Sequence, residues 1–360
     1  MFRKIFKVSI ISVCAIILLN GILFSQQNRH RHQGRQAYNG NNRLNIVTSF
    51  SDYAVIADFL TGGNADISHI AHGEQDPHFV PPKPSFAMML RKADMWVTTG
   101  MDLEVWSTTL LDKARNRKIM DGEAGFVSAS DGVGVLQKVE TADRTEGDIH
   151  LMGNPHIQTG PLNLKVVARN IAIGLQKIDP ANADYYIEMR DAYIDEIDRA
   201  LFGDELVDMF GGETLSKLLE NNTLFTFLER DYEGKLLKAM LGGWLLKALP
   251  FRGAKVMAYH KNWAYFIHTF GLEVIGYIEP KPGIPPSAKH VQKMINLIKE
   301  QDIKIMLVAS YFEKKSPQMI EDKAAINALF LPLHVNPKEG VDNSFELIDF
   351  WIEQINENIK

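Results

Sequence analysis

The sequence predicts an α/β protein built from parallel βαβ units, and three observations point there. Short apolar runs alternate with amphipathic helical segments from Leu44 almost to the C-terminus, the pattern of strands joined by crossover helices. The chain has 360 residues, about two domains on the usual length scale. One long helical segment, 181–202, lies in mid-chain, where a helix can connect two lobes.

Residues 44–48 read as a strand, and 52–60 as a helix stopped by Gly62-Gly63. A second strand, 65–71, delivers a loop carrying His72, Asp76 and His78. A short helix over 85–92, a strand over 95–98 and a helix over 103–114 continue the alternation. An amphipathic helix covers 162–177. Asp179-Pro180 starts the long one, with proline in the first turn, where its missing N–H costs nothing. Tyr185, Met189, Ala192, Tyr193, Ile197 and Leu201 share one face of it. Residues 203–252 are mostly helical and punctuated by Gly211-Gly212 and Gly242-Gly243. Strands resume at 255–259, 274–278, 305–308 and 329–333, with helices over 294–299 and 317–327. No internal repeat is evident, although both halves repeat the alternation.

The N-terminus has the pattern of a targeting segment. Arg3, Lys4 and Lys7 precede an almost wholly apolar run over 8–24, interrupted by Asn20, and cleavage near Ser25 is expected. The alternative is an uncleaved anchor, since the run is close to the shortest stretch that spans a bilayer. Cys14 is the single cysteine and lies inside that run after Val13, so it reads as a signal-peptide residue and not a lipid attachment point. Residues 26–43 are polar, with His30 and His32 among arginines, and read as a flexible tether. The mature chain expected after that cleavage has no thiol, which suits an oxidising compartment and leaves only nitrogen and oxygen donors for a metal. The net charge of −5 argues against nucleic acid as the main partner.

Three histidines stand in well-made local contexts: Asp76-Pro77-His78, Asn154-Pro155-His156 and Tyr259-His260-Lys261-Asn262-Trp263. His78 and His260 directly follow expected strands, where parallel sheets place their ligands. Neutral imidazole is the commonest protein ligand for zinc. Zinc-finger spacing is absent, so a shared site would have to be assembled by the tertiary fold; the alternative is three unrelated histidines. The glycine pairs lack the Lys-Ser/Thr partner of a phosphate loop. Neither Gly-x-Ser-x-Gly nor His-Glu-x-x-His occurs. The five tryptophans read as core or lobe-edge aromatics.

The contexts of these histidines carry a resemblance. The motifs are Asp76-Pro77-His78 followed by Pro82-Lys83-Pro84-Ser85, Lys92-Ala93-Asp94 and the stretch 100–106; then Gly147-Asp148-Ile149-His150 leading to Gly153-Asn154-Pro155-His156. Tyr259-His260 through Trp263, Tyr265-Phe266 and Phe270-Gly271-Leu272 follow, with Glu279-Pro280, Pro282-Gly283 and Pro286-Ser287. Over 44–359 the chain resembles the metal-specific (zinc/manganese) periplasmic solute-binding proteins of ABC transporters, cluster A-I. The resemblance implies two lobes, each a parallel sheet flanked by helices, joined by a single long linker helix, with a metal between them. The organisation expected is a signal peptide over 1–25, a tether over 26–43 and a first lobe over 44–178. A linker over 179–202 and a second lobe over 203–360, with a helical insertion over 203–252, complete it.

The ligands carried over are His78, His156 and His260. For the fourth position His334 is the first candidate, with Glu279, Asp342 or water behind it. Asp76 and Glu279 are candidates to orient the imidazoles, and His72 and His150 to stand nearby; His69, His268 and His290 read as core or surface. The sequence departs from the family after His156, with Ile157-Gln158-Thr159-Gly160-Pro161, and lacks the long His/Asp-rich loop of many zinc-specific relatives. Nitrogen donors favour Zn2+, with Mn2+ as the second candidate because it prefers oxygen. The resemblance implies a monomeric periplasmic protein that delivers metal to an inner-membrane ABC permease and is not an enzyme. The runner-up is an exported zinc hydrolase using the same three histidines, with Glu279 or Glu313 as general base.

Overall fold

A computed structural model of the protein describes residues 38–39, 43–138, 152–281 and 283–359. The expected signal peptide and nearly all of the tether lie outside these residues, as do 139–151 with His150. The described residues from 43 onward belong to one compact unit. Among the described residues no helix is long and apolar enough to cross a membrane.

The first sheet contains β1 (Leu44–Phe50), β2 (Ala65–Ala71), β3 (Met95–Thr98) and β4 (Phe126–Ser128). All pairings are parallel and the order is β2-β1-β3-β4. Its connections include α1 (Ser51–Thr61), α2 (Pro84–Lys92) and α3 (Val105–Ala114). Every residue of Met-Trp-Val-Thr in β3 is buried, as expected for a central strand covered on both faces. Gly62 ends α1 in the left-handed region, at φ 58°. A side chain there would also strike the hydroxyl of Tyr185, whose oxygen lies 2.1 Å from the position a Cβ would take, so glycine answers two needs at once.

Then come α4 (Pro161–Ile178) and α5 (Ala183–Phe202), separated by a 3-10 turn over Pro180–Asn182. Tyr185, Met189, Tyr193, Ile197 and Leu201 on α5 are buried, the face the helical period marks out. Next in the chain are α6 (Asp204–Phe210), α7 (Gly212–Glu220), α8 (Leu224–Leu228), a two-residue ladder of β5 (Asp231–Tyr232) and β6 (Lys235–Leu236), and α9 (Gly243–Ala248). One buried polar cluster ties this region together. Lys165 Nζ on α4 lies 2.6 Å from Asp198 Oδ1 on α5 and 2.8 Å from Ser216 Oγ on α7. The space is filled so tightly that a Cβ on Gly212 would sit 2.0 Å from Asp198 Oδ2. Burial pushes the Asp198 carboxyl up, against the opposing pull of Lys165.

The second sheet contains β7 (Lys255–Ala258), β8 (Glu273–Tyr277), β9 (Ile305–Ala309) and β10 (Asn327–Leu331), again all parallel, in the order β10-β9-β7-β8. The helices here are α10 (Ala264–Phe270), α11 (Ala288–Gln301), α12 (Lys315–Ala324) and α13 (Ser344–Asn358). Val291, Met294, Ile295 and Ile298 of α11 pack with Met257, Met306 and Val308 of the sheet. Each such buried side chain contributes about 1.5–3 kcal/mol. The α/β class with two parallel sheets flanked by helices is therefore as expected from sequence.

Several details differ, among them the helix expected over 317–327, which runs Lys315–Ala324 as α12 and gives way to β10 at Asn327. The strand β4 and the β5–β6 ladder are additional. Helix α11 begins at Ala288, not 294, because Ser287 caps it by accepting the His290 N–H. Strand β10 ends at Leu331, two residues short of the expected end, and Pro332 turns the chain away.

Candidate metal centre

The three motif histidines converge. His78 sits in the loop after β2, His156 directly before the 3-10 turn Ile157–Thr159 that leads into α4, and His260 directly after β7. One nitrogen from each lies within 4.8 Å of the other two, and this is the convergent group of three or more such side chains found among the described residues. Ring centroids are 5.1 Å apart for His78 and His156, 5.7 Å for His78 and His260, and 5.5 Å for His156 and His260. All three rings meet edge to face. Tetrahedral zinc with bonds of about 2.0–2.1 Å needs nitrogens about 3.3 Å apart, which small side-chain movements can reach from this spacing.

Carboxylates aim two of these rings. Asp76 Oδ1 lies 2.8 Å from His78 Nδ1 and also accepts the His78 backbone N–H at 3.0 Å. Glu279 Oε2 lies 2.5 Å from His260 Nδ1, and its Oε1 accepts the Gly283 N–H at 2.9 Å. A carboxylate accepts, so Nδ1 carries the proton and Nε2 presents its lone pair, the arrangement that orients imidazole for a metal. Burial alone would raise the Asp76 carboxyl, but its hydrogen bonds from His78 hold it below the ordinary value. The loop itself is braced by Trp106, whose indole N–H donates to the Pro77 carbonyl at 2.9 Å. Trp106 thus does more than fill a core.

His334 stands outside the convergent group. It is 2% exposed, with its ring against Phe50. Its Nδ1 lies 2.6 Å from Asp52 Oδ2, and Asp52 Oδ1 accepts the Val335 N–H at 3.2 Å. Ser51 Oγ donates to the Val335 carbonyl at 2.6 Å. His334 Nε2 is buried and has no hydrogen-bond partner. The local geometry of His334 therefore repeats that of His78 and His260 in one respect: a carboxylate lies on Nδ1, which leaves Nε2 as the nitrogen without the proton. Sequence reading missed Asp52, which looks like an ordinary acidic residue in a helix first turn but is 1% exposed.

The other candidates fall away from the cluster. Asp342 is exposed, and its backbone N–H donates to Glu346. Glu313 is exposed and accepts the backbone N–H groups of Lys315 and Ser316. His72 is exposed, with its ring 5.6 Å from that of His69. Burial, and then the neighbouring His72, hold His69 below its ordinary pKa. His290 pairs with the Tyr277 carbonyl at 3.0 Å, and His268 lies on α10.

Two parallel sheets with a nitrogen-donor cluster where their loops meet define a two-lobed binding protein. The profile of the family described as "Zinc-uptake complex component A periplasmic", ZnuA, matches residues 46–232 and 245–358, and the chain belongs to this family. The chain is 20% identical over 288 residues to the high-affinity zinc uptake system protein ZnuA of Bacillus subtilis, covering 79% of this chain and 75% of that one. It is 27% identical over 170 residues to the manganese ABC transporter substrate-binding lipoprotein PsaA of Streptococcus pneumoniae, 46% of this chain and 52% of that one. The latter match thus spans about half the relative's length. Among solved structures, a crystal structure of ZnuA superposes with a TM-score of 0.65 at 20% identity, covering 89% of this chain and 100% of that one. A Mn-bound periplasmic metal-binding protein from Candidatus Liberibacter asiaticus gives 0.61 at 15%, covering 88% and 99%. Both show the same fold.

Proposed function

We propose that this protein captures a divalent transition metal, zinc ahead of manganese, and delivers it to an ABC permease. The lobes are 44–178 and 203–360, bridged by 179–202. The carrying observation is the convergence of His78, His156 and His260, with two rings already aimed by Asp76 and Glu279. His334 is the fourth donor through Nε2, with Asp52 in the part that Asp76 and Glu279 play for their rings. Four nitrogens suit tetrahedral zinc and leave no position for a reacting water, so the reading is binding without catalysis. The positions of Glu279 and Glu313 support this. Both carboxylates are occupied, the first by His260 and Gly283 and the second by its helix start. The basic and apolar N-terminal stretch supports export to the periplasm, and the supply of all three convergent histidines by a single chain supports action as a monomer.

Calorimetric titration of dialysed protein tests the proposal. One zinc per chain, with manganese held less tightly, is the expected result. Binding that survives His260→Ala unchanged would remove the shared site. Diffraction at the zinc edge tests His334 separately. A nitrogen farther than about 3 Å from the ion, where a bond is about 2.0–2.1 Å, would leave three histidines and a different fourth ligand.

A further inference from the structure

Asn154 uses every hydrogen-bonding group it has, and half of them reach the other lobe. Within the first lobe its backbone N–H donates to the Leu136 carbonyl at 2.9 Å, Oδ1 accepts the His156 N–H at 3.0 Å, and Nδ2 donates to Gln137 Oε1 at 3.0 Å. Across the gap, Nδ2 also donates to the Lys261 carbonyl at 2.7 Å, and its backbone carbonyl accepts the Tyr265 hydroxyl at 2.7 Å. That hydroxyl in turn accepts the Leu136 N–H at 3.4 Å. Asn154 is 6% exposed and Tyr265 4% exposed, so water cannot readily substitute for either partner. The backbones come close here as well. A Cβ on Gly160 would lie 2.7 Å from Tyr265 Cβ, so a side chain at 160 would force the two surfaces apart.

The position of these bonds gives them a meaning beyond packing. His156 follows Asn154 by two residues, and its backbone N–H is held by the amide oxygen. Lys261 follows His260 directly, and its carbonyl is held by the amide nitrogen. One planar amide therefore spans from the backbone beside a first-lobe histidine to the backbone beside the second-lobe histidine. It fixes their separation only while the lobes are together.

We propose that Asn154 is an interlobe clasp, a positioning residue that sets how long the closed protein retains its ion. The inference rests on the metal-binding reading above. Asparagine is required chemically. An aspartate could still accept the His156 N–H, but its second oxygen would face the Lys261 carbonyl, and acceptor would meet acceptor. The clasp also suits a carrier that must release its cargo: it consists of neutral hydrogen bonds, each of modest net strength, which a partner that separates the lobes can break without exposing an unpaired charge.

The test is the rate at which zinc-loaded full-length protein gives up its metal to an excess of chelator. It is measured well below the melting temperature, with circular dichroism confirming the fold. Asn154→Asp keeps the local bond to His156 and loses both amide donors. It is expected to release zinc about 10- to 100-fold faster, the range for leaving buried polar partners unsatisfied. Tyr265→Phe removes the hydroxyl that bonds Asn154 and Leu136 across the lobes while leaving every side chain of the histidine motifs in place, and a smaller acceleration, about 2- to 10-fold, is expected. A purely local role for Asn154 predicts a lower melting temperature with unchanged release. Wild-type release rates in both variants overturn the clasp. If Asn154→Asp does not fold, Tyr265→Phe decides alone, and a wild-type rate there overturns it. Failure of the wild-type protein to bind zinc is a distinct result: it removes the metal reading itself, and the clasp with it.

Discussion

The two sheets have the same topology and divide the chemistry differently. Read from its β8 edge, the second sheet runs second, first, third, fourth in its own chain order, as does the first sheet from its β2 edge. The segment after the first strand carries the carboxylate Asp52, in the first turn of α1, in one lobe and the imidazole His260 in the other. After the second strand come Asp76 and His78 in one lobe, and Glu279 in the other. His156 and His334 follow the fourth strands. The parallel sheet decides that side chains arriving at this edge face a common space. It does not decide which loop supplies an imidazole and which the carboxylate that pairs with it. The roles have exchanged between equivalent positions, and in both cross-lobe and within-lobe pairs the carboxylate meets Nδ1.

Four measurements break or sharpen this comparison. If one ion joins both lobes, zinc at about 1,000 times its dissociation constant should stabilise the whole chain by about 4 kcal/mol. A single melting transition that moves upward is expected. An unchanged melt, or a shift confined to one of two transitions, would break the picture of a shared site. Next, structural zinc contributes about 10–16 kcal/mol over four ligands, so each donor accounts for about 3 kcal/mol. His78→Ala and His260→Ala should therefore each cost on the order of 100-fold in zinc affinity by calorimetry. A large loss in one and none in the other would assign the site to a single lobe. Third, the aiming carboxylates should matter equally despite their exchanged positions. Asp76→Asn and Glu279→Gln are each expected to lower affinity about 10- to 100-fold, and Asp52→Asn by a similar amount only if His334 binds the ion.

The smallest effect concerns the loops after the third strands. Glu104 follows β3, is 4% exposed and accepts the Thr99 N–H at 2.7 Å, whereas Glu313 follows β9 and is exposed. Burial raises the Glu104 carboxyl above its ordinary value of 4.5. The native state therefore keeps this proton at a pH where the unfolded chain has lost it. Its contribution to stability is full below that ordinary value and declines as pH rises through the folded-state value. Urea midpoints of Glu104→Gln should lack this decline, and those of Glu313→Gln should follow the wild type.

Much of this was legible in sequence because burial on both faces writes continuous apolar runs, as in Met95–Thr98 and Ile305–Ala309. Phe126–Ser128 is too short to carry a period, and the ladder at Asp231–Leu236 has only two exposed residues per strand, with no buried face to mark it out within a stretch that reads as mostly helical. The convergence of His78, His156 and His260 was suggested by their motifs. Their partners were only partly so. Asp76 and Glu279 lie inside the same motifs, whereas Asp52 is far from His334 in sequence and gives no local sign of burial. His334 was placed directly after a strand that in fact ends before Pro332, so the spacing alone did not reveal where the ring would aim. Asn154 stood in a motif, but an asparagine that reaches across a gap looks the same in sequence as one that makes a turn.

The buried cluster of Lys165, Asp198 and Ser216 bears on how such proteins can be recombined. Its members come from the last helix before the turn at 180–182, from the long helix itself and from a helix beyond it. Matching sheet topology suggests that lobes could be exchanged among relatives as modules. A chimera joined anywhere between Lys165 and Asp198 would inherit one charge from each parent. Unless both parents carry the pair, the hybrid holds a lone buried ion, a defect of about 3–5 kcal/mol. The junction that respects this protein's modularity therefore lies outside the stretch that runs from Lys165 to Ser216, and the long helix travels with its neighbours on both sides.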